Sequence, residues 1–187
     1  MQTVCVIVFN MNNLSYKVAL GGVISALCIL AMFMTSVAPF LYITLPMIAG
    51  ALLVIIVVEV NVSWAFLTYV AVSLLSIFVT FDKEAAIIFI MFFGHYPILK
   101  YKIEKIPFKL LKFLLKLLIF NLCIVASYQV TIHLLGLDEL IADVAFLGEY
   151  GIYILWALSN LFFLVYDNVL SGCLDLYLKY LKPKIYR

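Results

Sequence analysis

The sequence predicts an all-α integral membrane protein with six transmembrane helices and both termini in the cytoplasm. Its composition is 67% hydrophobic and 12% charged, whereas soluble domains are about 45–50% apolar. A membrane span needs about 20 apolar residues, so 187 residues hold six spans, short loops and no extramembrane domain. The basic residues gather at the ends of the apolar runs, which is the third observation that favours this fold.

One transmembrane domain is expected over residues 17–187, after a cytoplasmic extension of residues 1–16. The spans are expected at about residues 18–36, 39–58, 64–80, 85–98, 107–135 and 150–169. The fourth is short for a hydrocarbon core of about 30 Å. It must be buried among its neighbours or extended at its outer end by the charged turn that precedes it.

The lysines predict the orientation of the spans. Six of the twelve Lys and Arg residues fall in the stretch from Phe92 to Lys116, where span four ends and span five begins, and positive charge in short loops stays on the cytoplasmic side. By alternation Lys83 alone lies outside, together with the acidic loop 136–149. Four lysines, one just before span five and three in its first turns, recur on one stripe of a helix, and we expect their ammonium groups to reach the headgroups. They are Lys105, Lys109, Lys112 and Lys116. Glu59, at the inner end of span two, is expected to pair with the lysines of this region.

Small residues in the first span predict a surface for close helix packing. Gly21/Ser25 and Gly22/Ala26 form two adjacent pairs at four-residue spacing, a pattern that lets another helix backbone approach closely. Both a contact within the bundle and an interface with another subunit agree with this pattern.

The sequence contains none of the common catalytic patterns of membrane proteases, such as HExxH or GxSxG. His95 and His133 fall at opposite ends of their spans and cannot share a metal. A proton path needs a series of acids, but only Glu59 and Asp167 lie near the spans, both at the inner side. We therefore expect no enzyme, cofactor or metal site, and no nucleic-acid partner, because anionic lipid headgroups account for the basic residues.

Polar and aromatic residues in the outer half of the spans are the candidates for a small-molecule site, because polar groups at membrane depth often mark a cavity or a pathway. They are Tyr42, Asp82, Lys83, Glu84, Asn121, Tyr128, Trp156 and Asn160. The alternative is that Asn121 and Asn160 only form hydrogen bonds between helices.

With its six short spans, the opening YKVALGGVISAL and the second span LPMIAGAL, the chain resembles the S component of an energy-coupling factor (ECF) transporter. The segment DKEAAIIFIMFFGHYPILKYKIEK is also similar to uncharacterised membrane proteins of clostridia and related bacteria. The resemblance implies a subunit of the bacterial plasma membrane that captures a vitamin or another micronutrient from outside.

The same resemblance implies partners. A transmembrane coupling subunit and two ATPases would supply the energy, and the coupling subunit would dock on Gly21, Gly22, Ser25 and Ala26. Two other interpretations stay open. One is a non-transporting scaffold of the cell envelope, similar to rod-shape-determining membrane proteins, and the other is a self-contained oligomeric carrier, for which internal inverted repeats would be the indication.

Overall fold

The computed structural model describes residues 14–135 and 151–181, and the regular elements in these ranges are all helical. The six main helices are α1 Leu14–Val37, α2 Thr44–Glu59, α3 Val62–Val79, α4 Lys83–Ile103, α5 Lys109–Leu135 and α6 Gly151–Leu176. All except α2, which has 16 residues, contain a stretch long and apolar enough to cross a membrane. The prediction of an all-α, multi-pass membrane protein is confirmed.

Several boundaries differ from those predicted. Helix α2 begins at Thr44 because Pro39–Leu41 forms a separate 3-10 turn. At 1.5 Å per residue α2 is only about 24 Å long, so the second helix is the shortest, whereas the sequence predicted the fourth. Helix α6 continues beyond residue 169 to Leu176 and is followed by a π-helical turn, Tyr177–Leu181. The acidic loop and most of the N-terminal extension lie outside the described residues.

Side-chain caps set the starts of α3 and α4. The Asn61 side chain accepts a hydrogen bond from the Trp64 amide at 2.8 Å, and that of Asp82 accepts one from the Ala85 amide at 3.1 Å. Each bond satisfies an N–H group that the first turn of a helix leaves free. Short capped turns place α2, α3 and α4 next to one another in alternating directions. We call the end of the bundle where α2, α4 and α6 finish and α5 begins the basic end.

Helix α4 is the buried centre of the bundle, which corresponds to one of the two alternatives for the fourth span, and it extends to Ile103 at the basic end. It contains a π-helical turn, Phe89–Phe93, in which the Gly94 amide donates to the Phe89 carbonyl at 2.7 Å. The Tyr69 hydroxyl of α3 donates to the Ile90 carbonyl at 2.7 Å. A π turn disturbs the regular bonding of a helix, and Tyr69 supplies a partner for one of its carbonyls.

Close backbone contact joins α2 to this turn. A Cβ atom added to Gly50 would lie 2.1 Å from the Phe93 carbonyl oxygen. On the other side, a Cβ atom at Gly94 would lie 2.5 Å from the Tyr69 ring. Glycine at both positions therefore allows α4 to approach its neighbours more closely than any other residue would permit.

Helices α5 and α6 attach to α4 through aromatic rings. Phe120 of α5 and Phe163 of α6 stack with their ring centroids 4.4 Å apart, and both rings contact Phe92. Tyr96 and Tyr166 complete this cluster and are almost fully buried. The cluster fixes the register of three helices and so positions the polar groups on either side of it.

Candidate functional site

Three of the residues proposed from the sequence meet between α5 and α6. The Trp156 indole nitrogen donates to the Asn121 side-chain oxygen at 2.6 Å, and the Asn121 amide nitrogen donates to the Asn160 oxygen at 3.0 Å. The Asn160 nitrogen donates in turn to the Trp156 carbonyl at 2.9 Å. We call these three residues the amide group. The sequence placed them in one set without indicating that they touch.

The amide group has the components of a binding site and also those of a helix–helix contact. Trp156 remains 51% exposed, so its ring offers an accessible surface for a planar ligand, and the two amides are donors and acceptors beside it. At the same time each amide already bonds to the other helix, which is how such residues hold membrane helices together. The geometry therefore agrees both with a small-molecule site and with a contact that only joins the two helices.

The charged turn before α4 serves mainly to cap helices. Besides the Asp82 cap, the Lys83 ammonium group donates to the carbonyls of Ile77 and Thr80 at 2.8 and 2.9 Å, at the C-terminal end of α3. A cation there also interacts favourably with the helix dipole. Glu84 lies in the first turn of α4, where a carboxylate is favoured for the same reason.

Tyr42 and Tyr128 remain separate from the amide group. Their side chains are 40% and 45% exposed, and the described hydrogen bonds of the amide group involve neither. Tyr128 lies seven residues beyond Asn121 on α5, on the same side of the helix but about two turns away. The structure thus brings together three of the eight candidate residues.

The small residues of α1 divide between two environments. A Cβ atom at Gly21 would lie 3.6 Å from the Thr68 hydroxyl of α3, whereas one at Gly22 would meet nothing within 4 Å. Ser25 is half-buried and Ala26 is exposed. The Gly21 side therefore packs inside the bundle, and the Gly22 and Ala26 side is open on the surface of the described structure.

The strongest polar site was not predicted from the sequence. It lies at the basic end, where Asp167 of α6 bonds Lys100 of α4 at 2.7 Å and Lys116 of α5 at 2.8 Å. The Tyr96 hydroxyl donates to the same carboxylate at 2.6 Å. Lys100 also donates to the Asp167 carbonyl and, at 2.7 Å, to the Ser171 hydroxyl. One carboxylate thus connects three helices.

Glu104 extends this ion-pair network into the α4–α5 turn. It accepts from Lys116 and, at 3.2 Å, from Lys112. The Lys116 ammonium group, assisted by Lys112, holds the pKa of Glu104 below its usual range. Because Glu104 is 43% exposed, we regard it as a partly solvated outer member of the network.

The prediction that the lysine stripe reaches the headgroups is therefore only partly correct. Lys105 and Lys109 are exposed, but Lys116 is only 8% exposed and Lys100 only 6%. Both point into the bundle because the half-buried carboxylate of Asp167 pairs with them there. Glu59 was expected to pair with the same lysines; the described ion pairs of those lysines are with Asp167 and Glu104, while Glu59 accepts a hydrogen bond from Tyr177 at 3.0 Å.

One signal pointed to this network. Asp167 interrupts the apolar run LFFLVYDNVL, and an ionised carboxylate among apolar residues is costly unless a cation pairs with it. Its position near the basic end made the six lysines from Lys100 to Lys116 the available partners. What the sequence did not indicate was which of the six would turn inward.

The described histidines and cysteines form no metal site. His95 lies beside the Tyr69 ring, and its Nε2 atom is 3.6 Å from the Cys123 sulfur. Among the side chains that the structure describes, no three of His, Cys, Asp or Glu come together as ligands for a metal ion. Comparison of the whole chain with protein-family models, with curated proteins and with solved structures gives no match.

Proposed function

We propose that the chain is the substrate-binding subunit of an ECF-type importer in the plasma membrane of a bacterium, and that it captures a vitamin or another micronutrient. The observation that carries the proposal is the amide group, which presents a half-exposed indole and two hydrogen-bonding amides at membrane depth. Polar groups in such positions often belong to a substrate pathway. The six-helix layout and the sequence resemblance support the same conclusion.

In this proposal the indole stacks on a planar ring of the ligand, and Asn121 and Asn160 exchange their mutual bonds for bonds to its polar edge. The amides are neutral, so this exchange does not leave a buried charge unpaired. The chain would act together with a coupling subunit and two ATPases. The open surface at Gly22 and Ala26 is the place on α1 where a coupling subunit would have room to dock.

Affinity purification of the tagged protein from bacterial membranes tests the partners. The proposal predicts that two ATPases and one coupling subunit co-purify with it. A thermal-shift screen of the purified protein against a panel of B-group vitamins tests for a ligand. Recovery of cell-wall proteins, with neither ATPases nor a stabilising vitamin, would contradict the proposal.

A matched pair of variants tests the site. Asn160 and Asn168 both lie on α6 and both donate to the carbonyl four residues earlier, at 2.9 and 3.0 Å, but only Asn160 belongs to the amide group. Replacing Asn160 by Ala should weaken binding of the ligand identified in the screen by about 5- to 150-fold, because a lost hydrogen bond in a desolvated site costs about 1–3 kcal/mol. Asn168→Ala should leave binding unchanged.

A membrane scaffold is the second candidate. It is favoured by one observation: the two amides satisfy each other across the α5–α6 contact. In a scaffold Asn160→Ala would weaken assembly or stability without affecting any ligand. The variant pair therefore separates the two functions as well as testing the first.

A further inference from the structure

Two adjoining cavities lie between α2, α4 and α6 near the basic end. One has a volume of about 400 Å³ and includes charged residues, and the other has about 300 Å³ and a mainly apolar wall. They share Val54, Leu170 and Leu174 as a common wall. The apolar cavity follows α2 back to Ile48, about 16 Å of helix from Glu59, and so extends toward the middle of the membrane.

Two charged side chains in the wall of the first cavity do not belong to the ion-pair network. Lys105 is exposed, and its ammonium group lies 4.7 Å from the centre of the Tyr101 ring. Asp175 is exposed on α6. Within the described residues neither side chain has an ion pair or hydrogen bond, whereas Lys100 and Glu104 in the same wall are occupied by the network.

From this arrangement we infer that the two cavities together bind a zwitterionic phospholipid with a primary ammonium group, of the phosphatidylethanolamine type. Its phosphate contacts Lys105, its ammonium group contacts Asp175, and one acyl chain lies in the apolar cavity between α2 and α6. The charges match, because the wall carries two lysines and two carboxylates and would repel a second negative charge beside Asp175. The inference goes beyond the proposed function and does not depend on it.

The two compartments also explain why a lipid fits better than a soluble metabolite. A small zwitterion would fill only the charged cavity and would make no contact with the apolar one, whose wall suits an acyl chain. A fatty acid or an anionic lipid would satisfy Lys105 but not Asp175. A lipid with a quaternary ammonium group cannot donate a hydrogen bond to the Asp175 carboxylate.

The experiment uses the whole protein in nanodiscs with equal amounts of phosphatidylethanolamine, phosphatidylglycerol and phosphatidylcholine. After extraction into mild detergent, native mass spectrometry counts the lipids that stay bound. We expect phosphatidylethanolamine to be retained about five-fold over each of the others. Lys105→Gln and Asp175→Asn should each reduce its retention about five-fold, the effect expected for one charge at a membrane surface.

Variants that fill the apolar cavity test the acyl chain. Ala51→Trp on α2 and Cys173→Trp on α6 each place an indole in it, and both should abolish retention of every phospholipid. Cys173 is exposed, so its replacement leaves helix packing intact even where Ala51→Trp disturbs it. Lys102→Gln and Ala71→Trp, at exposed positions outside the cavities, are the matched controls and should behave as the wild type.

Three results would overturn the inference. The first is equal or stronger retention of phosphatidylglycerol, which would indicate simple attraction of anionic lipid to the basic end. The second is retention that survives Cys173→Trp, which would place the lipid elsewhere. The third is an equal loss in Lys102→Gln and Lys105→Gln, which would show that total charge rather than this cavity determines binding.

Discussion

Helices α1–α4 and helices α5–α6 are held in the bundle in different ways. Within the first group, the α2 backbone approaches the α4 backbone closely at Gly50, and Gly94 leaves room for the Tyr69 ring of α3. The second group joins α4 through an aromatic cluster with polar contacts on either side of it. Lipid is as apolar as the helices, so association in a membrane depends on such packing and polar bonds. The difference identifies α5 and α6 as the part whose position depends on individual side chains.

The largest effect is expected from loss of the carboxylate that links three helices. Asp167→Ala leaves Lys100 and Lys116 buried without their shared partner, and breaking a buried ion pair in this way costs about 3–5 kcal/mol of unfolding free energy. Unfolding in lipid-free detergent, followed by circular dichroism during denaturant titration, measures it.

A second aspartate, two turns further along α6, provides the control for that measurement. Asp175 is exposed and takes no part in the described ion pairs, so Asp175→Ala should change the unfolding free energy by less than about 0.5 kcal/mol. Similar losses in the two variants would mean that the network does not hold α4, α5 and α6 together.

A second experiment addresses the closely packed group. Gly50→Ala adds a methyl group where the Phe93 carbonyl oxygen would be 2.1 Å away, so α2 and α4 must separate. Overpacking of this kind costs about 1–3 kcal/mol. Gly22→Ala meets no atom within 4 Å and should be neutral or stabilising by up to about 1 kcal/mol, the helix propensity gained. Equal effects at the two glycines would contradict close packing as the basis of the α2–α4 contact.

The amide group should contribute less than either of these. Hydrogen bonds between membrane helices average about 0.6 kcal/mol in double-mutant cycles. A cycle of Asn121→Ala and Asn160→Ala, measured by the same unfolding assay without ligand, should give a coupling energy near that value. A coupling above about 2 kcal/mol would favour the scaffold, because a bond of that strength would hold the helices rather than exchange with a ligand.

Hydropathy was sufficient to predict six helices because a lipid environment constrains composition directly. The N-cap at Asp82 agrees with the expected start near the charged turn. The 3-10 turn at Pro39–Leu41 and the π turn in α4 were not predicted, and the π turn depends on contacts between helices. Tyr69 and Gly50, which accommodate the π turn, are far from it in sequence.

As with the fold, part of the candidate site was predictable from the sequence and part was not. Asn121, Trp156 and Asn160 stand out as polar residues in apolar runs, and their meeting point follows from the packing of α5 against α6. The inward turn of Lys116 was not predictable from its helical stripe, because Lys109 and Lys116 occupy similar positions on the helical surface. Only the location of Asp167 on another helix distinguishes the two lysines.

The smallest effect concerns Glu104, where the polar contacts of α5 reach solvent. Its pKa is lowered by Lys116 and Lys112, so the folded protein binds this proton less readily than the unfolded chain. The resulting stabilisation is therefore complete above the unfolded pKa of about 4.3 and is lost as the pH falls through the lower, folded value. For a partly exposed pair it should stay below about 0.5 kcal/mol.

The difference between the unfolding free energies of the wild type and Glu104→Gln, measured from pH 7 to pH 3, isolates this contribution. It should be positive at pH 7 and approach zero at the acidic end, and Lys112→Gln should retain most of it because Lys116 is the stronger partner. A difference that grows on acidification would mean that Glu104 prefers its protonated form in the folded protein. The lysines would then not hold it as an anion, and the network would end at Asp167, inside the bundle.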